Sequence, residues 1–172
     1  MTAKIALIAS AVLLASGVAF AADGPTDPQI AHIAYTAGSL DIEAGKLALQ
    51  KSKNASVREF ASEMVRDHAA VNEKALALVA KLGVTPEPNA TSEGLTKQAD
   101  ETRAKLAKLN GKAFDRAYVA NEVSYHNTVN GALKTALIPS ADNGELKSLL
   151  ETGLTLFSEH QKHAEHLSAS LK

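Results

Sequence analysis

Apolar residues recur along most of this chain at alternating steps of four and three, the spacing that places side chains on one face of an α-helix. The stripe is longest between Val57 and Leu82 and between Leu146 and Leu171, where it covers about seven helical turns. Such a stripe is stable only when it is buried against other helices, so the chain is predicted to fold as an all-α bundle. Aromatic residues make up only 4% of the chain, which argues against a sheet.

Turn and cap residues divide this pattern into four long helices and one shorter helix. The predicted helices cover residues 28–53, 56–82, 92–109, 112–136 and 144–170. Asp27 and Ser56 are predicted to cap the first two helices, and Pro28 to occupy the first helical position. Short turns make two antiparallel helical hairpins, while a connection of about thirty residues carries the shorter helix across the bundle. The predicted fold is therefore a ferritin-like four-helix bundle with an additional crossover helix.

The first 21 residues have the features of a cleavable secretory signal peptide. Lys4 supplies the positive charge, residues 5–18 form the apolar stretch, and residues 19–21 have the small-x-small pattern of a cleavage site. The apolar stretch is short for a membrane span, although an uncleaved anchor is the alternative. We therefore expect residues 22–172 to form one domain that is exported to the periplasm or beyond, without a transmembrane span.

Charge and composition exclude several functional classes. The formal net charge is −1, and loss of the signal peptide would remove one lysine and make it −2, so nucleic-acid binding is not expected. The chain has no cysteine, hence packing alone must hold the fold even in an oxidising compartment. No nucleophile elbow, phosphate-binding loop or dinucleotide fingerprint is present. The sequence leaves any protein partner open and is compatible with a homo-oligomer.

Three of the long helices each place one histidine on the apolar stripe: His68, His126 and His160. A polar ring at a buried position needs a partner, because an unpaired buried polar group is costly. Counting residues from the helix ends places His68 and His126 at nearly the same depth in the bundle. The same count places His160 about two turns away.

Two glutamates accompany these histidines. Glu43 lies about as many residues before the connection between the first two helices as His68 lies after it, so the two residues are at a similar depth. Glu122 lies one helical turn before His126. Imidazole and carboxylate groups are ordinary ligands of zinc, iron and copper, and bundle cores commonly hold such ions. The predicted transition-metal ligands are Glu43, His68, Glu122, His126 and His160. A second interpretation stays open: these groups are hydrogen-bonded core pairs in a metal-free structural or interaction module of the cell envelope, tied to envelope stress.

Several segments resemble a bacterial family of exported proteins known as domain of unknown function 4142, which is described as ferritin-like. They are residues 38–43 (GSLDIE), residues 57–68 (VREFASEMVRDH) and residues 109–119 (LNGKAFDRAYV). The resemblance implies a helical bundle in the bacterial envelope. It also implies that the family's recurrent Glu and His positions fall on Glu43, His68, His126 and His160.

Two differences between this chain and related proteins limit the metal chemistry that the sequence predicts. The family often has Met and an Asp-His pair where this chain has Glu122 and Tyr125-His126. Di-iron proteins of the ferritin type use Glu-x-x-His on two helices, but here Glu122–His126 and Glu159–His163 are spaced by four. Neither ferroxidase nor oxygenase activity is therefore expected, and the sequence assigns no catalytic residue.

Overall fold

The computed structural model describes residues 24–171, and all regular secondary structure in that range is helical. The elements are α1 (Asp27–Lys51), α2 (Ala55–Leu82), α3 (Ala90–Ala107), α4 (Gly111–Ala132), a π-helical turn (Leu133–Leu137), α5 (Ile138–Ser140) and α6 (Gly144–Ser170). The expected signal peptide, residues 1–21, lies outside the described residues. Within the described range, no helix combines the length and apolar character that a membrane span requires.

Both predicted caps of the first hairpin are displaced. Thr26 occupies the N-cap position of α1, and Asp27 is the first helical residue. The Asp27 carboxylate instead accepts the backbone N–H groups of residues 142 and 143, which fastens the start of α1 to the turn before α6. At α2, the side chain of Asn54 accepts two N–H groups of the first turn, so Ser56 lies inside the helix.

The fourth long helix extends beyond its predicted end at Ala136. The chain stays helical to Ser140, since the backbone N–H of Ile138 bonds to the carbonyl oxygen of Leu133 in an i→i+5 turn. Pro139 follows the π-helical turn directly, and its missing N–H removes one backbone hydrogen-bond donor from this helical path. This extension lengthens the path between α4 and α6 by about one helical turn.

The core consists of two apolar clusters with a polar layer between them. The ends of α1 and α6 and the starts of α2 and α4 form the first cluster, which includes Phe60, Phe114, Tyr118 and Leu167. The second cluster lies at the other end of the helices and includes Ile33, Leu137, Leu150 and Phe157. Because α2 and α4 begin in the same cluster, they run in the same direction. The shorter helix α3 packs mainly on α1.

Two glycines bring α1 close to α2 within this layer. A Cβ atom on Gly45 would lie only 3.1 Å from the carbonyl oxygen of Ala61, and one on Gly38 would collide with the side chain of Asn72. Asp41 lies between the two glycines along the same helix and is 1% exposed. The close approach of the two helices therefore buries the Asp41 carboxylate.

Candidate metal centre

Five ionisable side chains from all four long helices meet between the two apolar clusters. They are Asp41, His68, Glu122, His126 and His160, and none is more than 3% exposed. The His160 ring centre lies 5.4 Å from that of His68 and 5.6 Å from that of His126. The predicted depth difference for His160 is therefore wrong. The predicted helix ends at residue 136, whereas the helical path continues to residue 140, which removes about one turn of the expected two-turn offset.

The carboxylate nearest the histidines is Asp41, which the sequence reasoning missed. Its Oδ2 atom lies 2.6 Å from His68 Nε2 and 3.7 Å from His126 Nε2. The structure does not bring Glu43 into this group: its side chain is 52% exposed and pairs with Arg103 of α3. Residues two apart on a helix face nearly opposite sides, so only one of the two carboxylates can point inward.

A signal for Asp41 is present in the sequence. Gly38 and Gly45 precede and follow it at helical steps of three and four, which places all three residues on one face. Glycines spaced this way on a helix are typical of a close helix–helix contact. A carboxylate between them must be buried at that contact.

In two of the three histidines, one ring nitrogen is hydrogen-bonded and the other has no partner within the described residues. His126 Nδ1 lies 3.0 Å from the backbone oxygen of Glu122, and His160 Nε2 lies 3.1 Å from Asp67 Oδ2. Both oxygens are acceptors, so these nitrogens donate and therefore carry the protons. The lone pairs then lie on His126 Nε2 and His160 Nδ1. Metal-bound histidines are oriented in the same way, by an outer hydrogen bond from the other nitrogen.

Seven buried side-chain atoms of this group have no hydrogen-bond partner within residues 24–171. They are Oδ1 and Oδ2 of Asp41, Nδ1 and Nε2 of His68, Nε2 of His126, Nδ1 of His160 and Oε2 of Glu122. A proton on Glu122 would let this side chain donate a hydrogen bond to Asp41. Even the 2.6 Å contact between Asp41 and His68 lacks the alignment of a hydrogen bond. Each unsatisfied group destabilises the fold by about 1–3 kcal/mol. A shared cation would satisfy several of these atoms at once, so the donor set fits a bound metal ion.

The protonation states also suit a cation. Burial raises the pKa of Asp41, but nearby His68 and then His126 outweigh it, so the pKa stays well below its usual range. Burial lowers the pKa of His126 to about 4 and, together with His68, lowers that of His160. Burial and then Asp41 raise the pKa of Glu122 well above its usual value. At neutral pH the group therefore contains an ionised Asp41 and the neutral imidazoles of His126 and His160, which are free to act as ligands, while Glu122 is the carboxyl that holds a proton more readily.

The geometry permits a single ion with small side-chain adjustments. One nitrogen from each of His68, His126 and His160 lies within 4.8 Å of the others, and Asp41, Glu122 and His126 offer atoms at the same spacing. Nitrogens bound to one zinc ion at about 2.0–2.1 Å in a tetrahedral shell lie about 3.4 Å apart, so ring nitrogens near the 4.8 Å limit must move closer to share the ion. The two groups share His126 and form one continuous site.

A third group of possible ligands lies beside this site. Glu63, Asp67 and His160 also lie within 4.8 Å of one another through single ligand atoms, and the two acids are partly exposed. Glu63 Oε2 accepts from His163 Nδ1 at 2.8 Å, while Asp67 also binds Arg66. These acids already have partners, so we treat them as the outer support of His160.

Comparison with known proteins places the chain in a family. The sequence model of the family described as domain of unknown function (DUF4142) matches residues 15–167. The chain belongs to this family. No curated protein matches this DUF4142 chain in sequence. A crystal structure of a DUF305 protein from Streptomyces coelicolor superposes with a TM-score of 0.70, at 13% identity, over 83% of this chain and 91% of that one. This DUF4142 protein thus shares its helical fold with a DUF305 protein.

Proposed function

We propose that this protein binds one first-row transition metal ion in the core of a ferritin-like four-helix bundle, with α3 as the crossover helix. The observation that carries the proposal is the group of buried ligand atoms of His68, His126, His160 and Asp41 that have no hydrogen-bond partner within the described part of the chain. We further propose that residues 1–21 are a signal peptide and that the mature protein acts in the periplasm or outside the cell. The property that we propose is affinity for a metal ion, rather than catalysis.

The proposed ligands are three nitrogens and one oxygen. They are Nε2 of His68, Nε2 of His126, Nδ1 of His160 and a carboxylate oxygen of Asp41. Such a set suits zinc(II), copper(II) or iron(II). Four protein ligands complete a tetrahedral shell and favour holding the ion over activating a water molecule. Glu122 keeps its proton in this scheme and lies beside the shell rather than in it.

A surface cleft gives the ion a route to Asp41. The cleft has a volume of about 70 Å³, lies between α1, α3 and α4, and is lined in part by Asp41, Arg103 and Asn121. Arg103 also pairs with Glu43 across the contact between α1 and α3. The contact between α1 and α3 therefore borders the proposed route to the Asp41 carboxylate.

The test is metal content and thermal stability of the full chain, produced with its own leader and purified from the envelope without an affinity tag. After chelator treatment, zinc, copper(II) and iron(II) are added separately and the bound metal is counted by elemental analysis. We expect one equivalent of at least one metal and a higher Tm, because a ligand that binds only the folded state stabilises it.

Two substitutions decide whether the proposed residues hold the ion. His126→Leu should abolish stoichiometric binding, while His166→Leu, at an exposed position of α6, should keep it. Absence of stoichiometric metal in the wild type, with an unchanged Tm for all three ions, would overturn the proposal. The metal-free alternative then predicts that His126→Leu changes stability alone.

A further inference from the structure

A cavity of about 470 Å³ borders the histidine cluster on the side of the second apolar cluster. Cavities of about 300–1,000 Å³ are the usual size of small-molecule sites. All four long helices and the π-helical turn contribute to its wall. It shares Leu95, Tyr125 and Thr128 with the cleft that reaches Asp41 but extends toward the second apolar cluster.

The space exists because each long helical segment has a small residue there. Ala37, Ala75, Ala136 and Gly153 all lie on the apolar stripes and all line the cavity. Leucine or phenylalanine, which fill the equivalent positions elsewhere in the core, would close it. Small residues alone do not make a site, so the polar atoms at its wall decide what it can hold.

Two histidines of the wall, His68 and His126, each have a buried ring nitrogen without a hydrogen-bond partner within residues 24–171, and that of His126 lies 3.7 Å from Asp41. His68 therefore supplies the polar atom that a molecule in the cavity can reach. It lines the cavity, is 3% exposed, and its Nδ1 atom has no hydrogen-bond partner within residues 24–171. Its ring stacks on Phe157 with centres 4.4 Å apart and planes inclined by 9°, which holds the ring in place. His68 Nε2 faces Asp41, so Nδ1 is the nitrogen left for a molecule in the cavity.

The other residues that line the cavity disfavour a charged ligand. Among the described residues that line the cavity, none is an Asp, Glu, Lys or Arg. An ion in this space would lose its hydration without gaining a counter-charge, which is strongly unfavourable. An uncharged molecule loses nothing of this kind and gains from burial of its apolar surface.

We propose that this cavity binds a neutral, largely apolar small molecule whose single polar group, of the alcohol type, hydrogen-bonds to His68 Nδ1. A hydroxyl group can both donate and accept, so this contact forms whichever nitrogen of His68 carries the proton. The inference therefore does not depend on metal at Nε2, and its failure is separate from a failure of the proposed metal site.

Two probes of nearly equal shape test the proposal on the full chain by calorimetry or ligand-observed NMR. They are 2-naphthalenemethanol and 2-ethylnaphthalene, which differ by a hydroxyl in place of a methyl group. We expect saturable one-to-one binding of both, with the alcohol bound several-fold more tightly. Burial of apolar surface alone would give the opposite order, since the alcohol is better hydrated.

Substitutions in and outside the cavity test where the two probes bind. Ala75→Leu with Ala136→Leu should weaken both probes by about tenfold or more, because added methyl groups occupy the space. Ala77→Leu, at an exposed position of the same helix α2, should leave binding unchanged. His68→Phe should retain binding and reverse the preference. Absence of saturable binding, equal binding in the filled variant, or a wild-type preference for 2-ethylnaphthalene would each overturn the proposal.

Discussion

Asp41 Oδ2 lies 2.6 Å from His68 Nε2, although the side chains are only 1% and 4% exposed and the two atoms are not aligned as a hydrogen bond. A buried carboxylate and imidazole in this relationship are poorly satisfied by each other alone. Lone pairs on two atoms at that separation repel each other, so the pair needs a proton or a nearby cation. Asp41 is therefore the residue on which the metal proposal depends most directly.

Asp41→Asn should reduce metal affinity by at least about 100-fold, since the amide loses the negative charge and most of its strength as a ligand. Titration of chelator-treated protein with zinc in the presence of a competing indicator measures the change. The matched control is Glu43→Gln, two residues away on the same helix, whose side chain is half exposed and pairs with Arg103. Equal losses in the two variants would contradict the assignment of Asp41.

Asp67→Asn should lower metal affinity by about 10–100-fold without abolishing binding, because Asp67 orients the His160 ring and does not itself hold the ion in our scheme. The same competition titration applies. Asp100→Asn serves as control, since Asp100 is an exposed acid of α3 that pairs only with Arg103 among the described residues. An affinity equal to that of the wild type would show that His160 needs no such support.

The stability of the metal-free protein should depend on His126 between pH 4 and pH 7. The unfolded state takes up a proton near pH 6.5, whereas burial lowers the folded pKa to about 4. The contribution of His126 to the free energy of unfolding therefore decreases by on the order of 3 kcal/mol as the pH falls from 7 to 4. Below pH 4 this contribution no longer changes with pH.

Other groups modify this pH dependence, so the wild type must be compared with His126→Leu. The lowered pKa of His160 acts in the same direction, while the raised pKa of Glu122 opposes it by stabilising the fold at lower pH. Urea unfolding at pH 4 and pH 7 should show a smaller gain in stability with rising pH for His126→Leu than for the wild type and for His166→Leu. Identical pH dependence in all three proteins would count against a neutral, buried His126.

Gly45→Ala should destabilise the protein by about 1–3 kcal/mol, because the new methyl group would press on the backbone of Ala61 and on Val65. The exposed helical residue Gly94 has open space around it, and Gly94→Ala should instead stabilise by about 1 kcal/mol through helix propensity. Urea unfolding of both variants gives the comparison. A stabilised Gly45→Ala protein would mean that α1 and α2 are not in close contact at Asp41.

The positions of the histidines could be predicted because each lies within a regular apolar stripe. His68 is four residues from Met64 and three from Val71 on the same stripe, so a helical period alone directs it to the core. The depth of His160 could not be predicted, since it depended on the π-helical turn after α4. A helical stripe does not predict the Ile138 N–H bond to Leu133, because a π-helical turn interrupts the regular period.

The sequence by itself determined the helical class and the inward face that carries three histidines, because these follow from a period of about 3.6 residues. Only the tertiary structure decided which acid joins them. Asp41 and Glu43 flank the same stripe, and the rotation of α1 that selects between them is set by its contact with α2 at Gly38 and Gly45. The period of the apolar residues indicates only roughly which side of a helix faces the core. Close packing of α1 against α2 fixes the rotation of α1 about its own axis, and this rotation decides which side chain points inward.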